Sequence, residues 1–292
     1  MSEQAIKKIL ITGANGFIGG SLMSYYQNHG QDVVGVDLIG NGGNIVEGDI
    51  SQPETINQQL QECDVIIHTA ALVSNAMQDS DMWRVNVLAT RNLIQAAKEH
   101  KVRRFVQISS IVAYGNSAEG ELDETHPVHA DGGSYVLTKL ASEHVVLSEQ
   151  ANDDIEVVII RPGDAYGPGS RPWIIAPLEA IAKNQFMLPE NGEGFFRPIY
   201  IDDLVRGIAM ASRHPDADGE IFNLSCEGYM FTKDYFTPHY QWLGKKRPMV
   251  VSTNLALKIS AIASKLADLM GNLNEASPST VKQLSTKSWF SI

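Results

Sequence analysis

Five short apolar, largely β-branched runs punctuate the first two-thirds of the chain: Ile9-Leu10-Ile11, Val33-Val34-Gly35-Val36, Val65-Ile66-Ile67, Phe105-Val106-Gln107-Ile108 and Val157-Val158-Ile159-Ile160. Continuous apolar runs of this length suit parallel strands covered on both faces, which have no solvent side. Between them lie helix-like stretches, chiefly residues 82–100 and 134–150. This alternation predicts an α/β fold with a doubly wound parallel sheet, and residues 220–224 read as a late strand joining it. From Pro168 the texture changes. Prolines at 172, 177, 189 and 198 interrupt the pattern, and Trp173, Phe186, Phe195 and Phe196 thicken it with aromatics. A helix is expected over 174–183. A second is expected over 254–270, where Leu255, Ile259, Ile262, Leu266 and Leu269 recur at helical spacing. Lys258, Lys265 and Asp268 interrupt any membrane-spanning reading of that segment, so it reads as a surface helix of a smaller C-terminal lobe.

Composition narrows the class. The 292 residues carry 23 Lys and Arg against 34 Asp and Glu, a net charge of -11. That balance argues against a nucleic-acid binder, which needs a basic face, and the longest basic run is Lys245-Lys246-Arg247. Two cysteines, Cys63 and Cys226, give neither a disulfide framework nor a thiolate zinc site, and both read as packing residues. The first eight residues lack the apolar core of a signal peptide. No uncharged apolar run approaches the roughly 18–20 residues that span a bilayer. A cytoplasmic protein with no membrane partner is the expectation. One oddity remains: 10 of the 24 glycines fall within the first 48 residues.

Placed in order, some of those glycines acquire a purpose. Gly13, Ala14, Asn15, Gly16, Phe17, Ile18 and Gly19 follow directly on the first strand. Gly13 permits a tight exit, Gly16 lets the backbone approach a pyrophosphate, and Gly19 lets the following helix pack closely on the sheet. The helix start supplies free N–H donors and a positive dipole end. Asp37 ends the second strand 18 residues past Gly19, near the offset where a carboxylate meets the adenosine ribose. A carboxylate there accepts from ribose hydroxyls and repels a 2′-phosphate, so the cofactor read from the sequence is NAD rather than NADP. Gly48-Asp49-Ile50 and His68-Thr69-Ala70-Ala71 end the third and fourth strands, and Asp49, Ile50, Ala70 and Ala71 would line the same edge.

Tyr135 and Lys139 stand four apart and project from one helix face. A free phenol titrates near pH ~10 and is a poor proton carrier at neutrality, whereas an adjacent ammonium is expected to lower that value. Ser110, closing the fifth strand, is placed to hold a substrate oxygen beside the phenol. His126 and His129, with Asp123, Glu124 and Asp131, read as a polar loop ahead of the catalytic helix. Their spacing fits no common ligand set, so no metal is expected.

With these residues in place, the chain resembles the extended short-chain dehydrogenase/reductases, pooled as NAD-dependent epimerases and dehydratases, and within them the 3β-hydroxysteroid dehydrogenase-like branch. The likeness runs from about residue 6 to 225. It is carried by Thr12 to Gly19, by Asn86 to Asn92 with Ala89 in place of the usual glycine, by Ser109 to Gly115, by Arg161 to Gly169, and by Tyr200-Ile201-Asp202-Asp203. It implies a Rossmann fold with a smaller C-terminal substrate-binding lobe. Residues 1–167 and 198–225 would form the NAD-binding domain, and 168–197 and 226–292 the substrate lobe. It implies Ser110, Tyr135 and Lys139 as the triad, with Lys139 also holding the nicotinamide ribose. It further implies a small-molecule substrate, and a homodimer through helices near 82–100 and 134–150. Family members continue past the position of Trp289-Phe290, which implies a chain cut short or naturally short.

The reaction is narrowed by departures from the family pattern. Dehydratases of the family carry Thr-Asp-Glu where this chain has Ser110-Ile111-Val112, so dehydration is set aside. Epimerases place an Asn where Asp164 stands and a diphosphate-binding Arg where Phe196 stands, with Arg197 one residue late. A bulge could restore Arg197, and Arg171 is near, while Arg206 reads as helix surface. The expectation is an NAD-dependent dehydrogenase or ketone reductase acting on a secondary alcohol or ketone. Trp173, Phe186, Met187, Phe195 and Phe196 would form either a greasy substrate pocket or core. A nucleotide-sugar epimerase and a non-catalytic NAD sensor are the alternatives.

Overall fold

The computed structural model describes residues 6–74, 77–151, 154–270 and 277–291, so the polar segment before Ile6 lies outside the described residues. Its first half runs β1 (Lys8–Thr12), α1 (Phe17–Asn28), β2 (Asp32–Asp37), β3 (Ile45–Glu47), α2 (Asn57–Leu60), β4 (Val65–His68), α3 (Asp79–Trp83), α4 (Thr90–Glu99) and β5 (Arg104–Ile108). Then come β6 (Glu119–Leu122), α5 (Ser134–Gln150), β7 (Glu156–Pro162), β8 (Asp164–Tyr166), α6 (Ala176–Ala182), β9 (Phe195–Phe196), β10 (Pro198–Tyr200), α7 (Ile201–Arg213) and β11 (Ile221–Leu224). The chain closes with β12 (Met230–Phe231), α8 (Thr232–Trp242), α9 (Thr253–Leu269), α10 (Pro278–Gln283) and β13 (Lys287–Phe290).

Seven strands form one parallel sheet in the order β3-β2-β1-β4-β5-β7-β11. The order reverses between β1 and β4, and there a doubly wound sheet opens its ligand crevice. Both faces are covered, as the unbroken apolar runs require. Ile9 and Ile11 point into one core with Leu22, Tyr26 and Leu204, while Leu10 points into the other with Leu93, Ile94 and Phe105. Each fully buried Ile or Leu is worth ~1.5–3 kcal/mol against exposure. Between α3 and α4 the helix widens into a π-turn over Arg84–Ala89, in the segment that faces α5.

A smaller lobe builds its own core from Leu188, Phe196, Tyr235, Phe236 and Leu284. Phe196 stacks on Tyr235 at 3.7 Å, Trp173 meets it edge-on at 4.9 Å, and Phe186 tilts against Phe236 at 4.8 Å. Of the two readings left open for these aromatics, packing holds for Phe196, Trp173 and Phe186. Phe195 instead stacks on Tyr229 at 3.5 Å, half exposed. Three two-stranded ladders stand outside the main sheet: β8 with β10, β9 with β12, and β6 with β13. The helix expected over 254–270 forms as α9, but Leu255, Ile259, Ile262 and Leu266 face solvent. The side chains of Asp268 and Leu269 lie outside the described set.

A buried ion pair binds α5 to the sheet. Arg161 on β7 donates from Nε and Nη2 to the two carboxylate oxygens of Glu143 at 3.0 and 2.7 Å, and Ser109 Oγ donates to the same carboxylate at 2.5 Å. The guanidinium also lies over the Tyr114 ring, 4.8 Å from its centroid. Removing one partner of such a pair strands a buried charge. Arg161→Met should therefore lower unfolding free energy by about 3–5 kcal/mol in urea denaturation, whereas Glu143→Leu with Arg161→Met should recover most of it. Equal losses in the single and double variants would show that the pair itself is not what the core depends on.

Candidate active site

The crevice is built first from glycine backbone. Gly13 sits at φ +68°, and a Cβ there would stand 2.8 Å from the Ala70 backbone at the start of the loop after β4. A Cβ on Gly19 would stand 2.1 Å from the Gly13 carbonyl oxygen. Both positions must stay bare for β1, α1 and β4 to meet. Gly16 N–H donates to the Gly13 carbonyl at 2.9 Å and caps α1 without any side chain. The first-turn N–H groups of Phe17, Ile18 and Gly19 have no intrahelical acceptor, as at any helix start. They form the cradle expected of a pyrophosphate seat.

The carboxylate of Asp37 closes the far side of this turn. Its oxygens accept the backbone N–H of Asn15 at 2.9 Å and of Leu38 at 2.8 Å, and Asn15 Nδ2 donates to the Ile39 carbonyl at 2.7 Å. The acid foreseen at the end of the second strand is thus fixed against the glycine turn. Asp49 accepts from Ser51 N–H at 2.9 Å and shapes the turn that follows β3. Ala70 and Ala71 are half-buried in the loop after β4, whereas the Ile50 side chain is enclosed in the core. Ile50 therefore offers the crevice only its backbone.

The proton-handling corner lies at the C-terminal end of β5. Ser110 Oγ accepts the Val112 N–H at 3.3 Å, starting the turn that follows the strand, and Ser110 also hydrogen-bonds the Tyr135 hydroxyl. Lys139, four residues on, donates from Nζ to the Ile108 carbonyl at 2.9 Å. The three expected side chains meet where the strand ends. Burial pushes the Tyr135 phenol up to about 12, with the Ser110 hydrogen bond opposing. Burial pushes the Lys139 ammonium down to about 8, with the Glu143 carboxylate opposing. The expected lowering of the phenol by the ammonium is absent, because burial dominates and the ammonium is turned to the Ile108 carbonyl.

Two supports were not assigned roles by sequence reasoning. Asn86, in the π-turn, donates from Nδ2 to the Leu72 carbonyl at 3.0 Å and Thr138 Oγ1 at 3.1 Å, and accepts the Leu72 N–H at 2.8 Å. It ties the loop after β4 to the helix carrying Tyr135. His68 is buried between Thr12 Oγ1 at 2.6 Å and Thr90 Oγ1 at 2.9 Å. Thr90 donates its own proton to the Asn86 carbonyl, so His68 Nε2 is the donor to Thr90 and Nδ1 accepts from Thr12. Burial and then Lys139 push this imidazole down to about 3, and it stays neutral. Glu143 stands one further helical turn beyond Lys139, and that spacing was the available signal for it.

The remaining candidates sort plainly. Asp131 spends both oxygens on the backbone N–H groups of Asn116 and Ser117. Among the described residues no group of three His, Cys, Asp or Glu side chains is set to hold a metal. Cys63 is buried, and burial pushes its thiol up to about 12. Arg171 is exposed opposite Glu179, and Arg206 pairs with Asp203 on the surface of α7. Arg197 turns inward. It pairs with Asp164 at 3.3 Å, and its Nη1 donates to Thr286 Oγ1 at 2.9 Å.

A sheet reversed at β1, a side-chain-free helix start beside it and a Ser-Tyr-Lys corner together define a dinucleotide-dependent enzyme of the extended short-chain dehydrogenase/reductase type. Residues 9–225 match the model of the NAD dependent epimerase/dehydratase family, and the chain belongs to that family. NAD is the cofactor that the family description names, and the bare glycine cradle fits it. The chain is similar to the low-salt glycan biosynthesis protein Agl12 of Haloferax volcanii, 29% identical over 74% of this chain and 76% of that one. It is also similar to the decarboxylating sterol-4-alpha-carboxylate 3-dehydrogenase ERG26 of Candida albicans, 27% identical over 83% and 74%. Among solved structures, MoeE5 in complex with UDP-glucose and NAD superposes with a TM-score of 0.75 at 26% identity, covering 84% of this chain and 85% of that one.

The glycine geometry makes a sharp contrast testable. Gly19→Ala should weaken NAD binding at least about a hundredfold by calorimetry, because its Cβ would meet a backbone carbonyl at 2.1 Å. Gly20→Ala, whose Cβ would stand 3.4 Å from the Ala14 carbonyl, should bind NAD within about threefold of the unaltered protein. Similar affinities for the two variants would remove close packing as the reason for the motif.

Proposed function

We propose that this protein is an NAD-dependent oxidoreductase transferring a hydride between the nicotinamide and a secondary alcohol or ketone, with Tyr135 as general acid/base. The observation that carries this reading is the buried Asp164–Arg197 pair. The family's diphosphate-substrate enzymes use an Asn and a free guanidinium at this end of the crevice. Here the Asn is replaced by a carboxylate, Phe196 is core, and Arg197 is committed to Asp164 and Thr286. A doubly phosphorylated substrate would meet an acid and lose its guanidinium.

In this reading, bound NAD supplies the hydride acceptor or, reduced, the donor. The chain's own residues hold the cofactor and move the proton. Gly13, Gly16 and Gly19 with the N–H groups of Phe17 and Ile18 seat the pyrophosphate. Asp37 takes the adenosine ribose and disfavours a 2′-phosphate, while Asn15, Asp49, the Ile50 backbone, Ala70 and Ala71 line the approach. Ser110 donates a hydrogen bond to the substrate oxygen, and the Tyr135 hydroxyl gives that oxygen its proton during reduction. A phenol held up at about 12 is a retained acid, which suits ketone reduction at neutral pH. Lys139 holds the nicotinamide ribose and keeps a positive charge behind the phenol. A cytoplasmic homodimer through α3, α4 and α5 belongs to the same reading, and Trp83 and Leu88 are exposed there.

A second reading, a nucleotide-sugar epimerase, is favoured by the likeness to the UDP-glucose complex of MoeE5. The two are separated by mass balance. A dehydrogenase or reductase changes NADH absorbance in step with a secondary alcohol or ketone, whereas an epimerase converts a UDP-sugar with no net change. Turnover of UDP-glucose without absorbance change would replace the first reading with the second.

The roles assigned to the triad predict a pattern. Tyr135→Phe should lower kcat at least about a thousandfold while leaving the NAD dissociation constant within about threefold. Unchanged turnover would sink the mechanism, and a protein that binds NAD but turns over no ketone, alcohol or sugar nucleotide would be a sensor. Lys139 carries its charge below about pH 8 and loses it above. For reduction, kcat/KM should accordingly be highest below that pH and fall as it rises through it. A profile flat from pH 6 to 10 would mean that the Lys139 ammonium is not required.

A further inference from the structure

Helix α9 is amphipathic with its faces exchanged. At about 100° per residue, Leu255, Ile259, Ile262 and Leu266 fall within an arc of about 60°. Those four side chains are 39–62% exposed, whereas Ala256, Ser260 and Ala267, about 90–130° further round the helix, are buried. Small residues form the buried edge of the helix, and four of its large apolar residues point away from the protein. The feature extends beyond the helix. Of the nineteen large apolar side chains exposed among the described residues, nine lie between Trp242 and Met270. Isolated exposed apolar residues are ordinary, but such a concentration marks a surface that something covers.

Charge identifies the cover. From residue 241 to 267 the chain carries Lys245, Lys246, Arg247, Lys258 and Lys265 and not one Asp or Glu, in a protein whose net charge is -11. Lys245 is engaged with the Ile181 carbonyl and Asn184 Oδ1, while Lys246, Arg247, Lys258 and Lys265 are exposed. Lys258 and Lys265 stand together on one flank of the apolar stripe. A second copy of this chain is a poor cover, because a twofold contact sets the patch against itself and brings the cations of residues 241–267 against one another with no acid from that stretch to pair them. We propose that α9 and the segment leading into it dock the protein on an anionic phospholipid membrane. The apolar stripe enters the boundary between headgroups and acyl chains, and the flanking lysines reach the lipid phosphates. No described helix is long and apolar enough to cross a membrane, so the contact is with its surface. The inference stands whichever reaction the crevice performs.

Flotation of the full chain with vesicles tests it. The protein should float with phosphatidylcholine vesicles containing phosphatidylglycerol, should float far less with phosphatidylcholine alone, and should be released by raised salt. Ile262→Glu with Leu266→Glu should lower the bound fraction at least about tenfold, and so should Lys258→Glu with Lys265→Glu. All four side chains are exposed, so thermal melting and NAD binding should be unchanged and will verify that the variants are folded. Absence of flotation on anionic vesicles at low salt would overturn the proposal, as would flotation unaffected by either pair of substitutions. A concentration-dependent dimer abolished by Ile262→Glu, with no vesicle binding, would assign the surface to a second copy instead.

Discussion

The close approach of backbone to backbone at the end of β1 is the constraint from which the remaining geometry follows. Gly13 leaves the strand in a left-handed turn against Ala70, and its carbonyl occupies the space that a side chain at Gly19 would fill. Hydrogen bonds weld the same point from the other side. Thr69 Oγ1 donates to the Thr12 carbonyl at 2.6 Å, and the Ala70 N–H reaches Thr12 Oγ1 at 3.3 Å. Because β1 and β4 are neighbours at the reversal of the sheet, this weld sets the width of the crevice as well as the pose of α1. Asp37 is then locked onto the turn through Asn15. The glycine side of the crevice is thus a property of main chain, and side chains only finish it.

The other side of the site depends on how buried charge is arranged around α5. Tyr135, Lys139 and Glu143 follow one another at single helical turns along its inward face. Lys139 has the neutral His68 on one side and the Glu143–Arg161 pair on the other. A protonated imidazole at His68 would set a second cation near the ammonium, so the burial that keeps the ring neutral also protects the lysine's charge. Glu143 offsets the loss of hydration that lowers the lysine. The ion pair therefore fastens the helix to the sheet and also sets the field in which a proton could move.

Much of this was legible in the sequence because it depends on local pattern. Apolar runs located the strands, and the span 134–150 coincides with α5. Glycine spacing located the tight turn at the end of β1, since close backbone approach admits no other residue there. The third strand was expected only from the position of Gly48 and proved to be three residues, Ile45–Glu47. What escaped was non-local. Periodicity tells which residues of α9 share a face but not which way that face turns, and the structure turns it outward. The direction of Arg197 was equally hidden, because it depends on partners 33 residues before it and 89 after. The phenol's titration escaped for the same reason: an ammonium four residues away is visible in sequence, whereas the burial that outweighs it belongs to the assembled fold.

Arg197 also shows how a segment outside the shared sequence is tied into the fold. The match to the family ends at residue 225, yet the groups that hold this guanidinium inward include Thr286 and, at 3.5 Å, Ser288. Ser288 is on β13, and β13 is anchored by pairing with β6, the strand that follows the turn begun at Ser110. A segment outside the shared sequence thus reaches back into the shared fold and fixes the direction of Arg197. Burial raises the Asp164 carboxyl, with Arg197 working against that rise. Freeing the guanidinium for a ligand would strand a carboxylate in the core, which is strongly unfavourable. The pair therefore acts as a fixed tie between β8 and β10 rather than a switch.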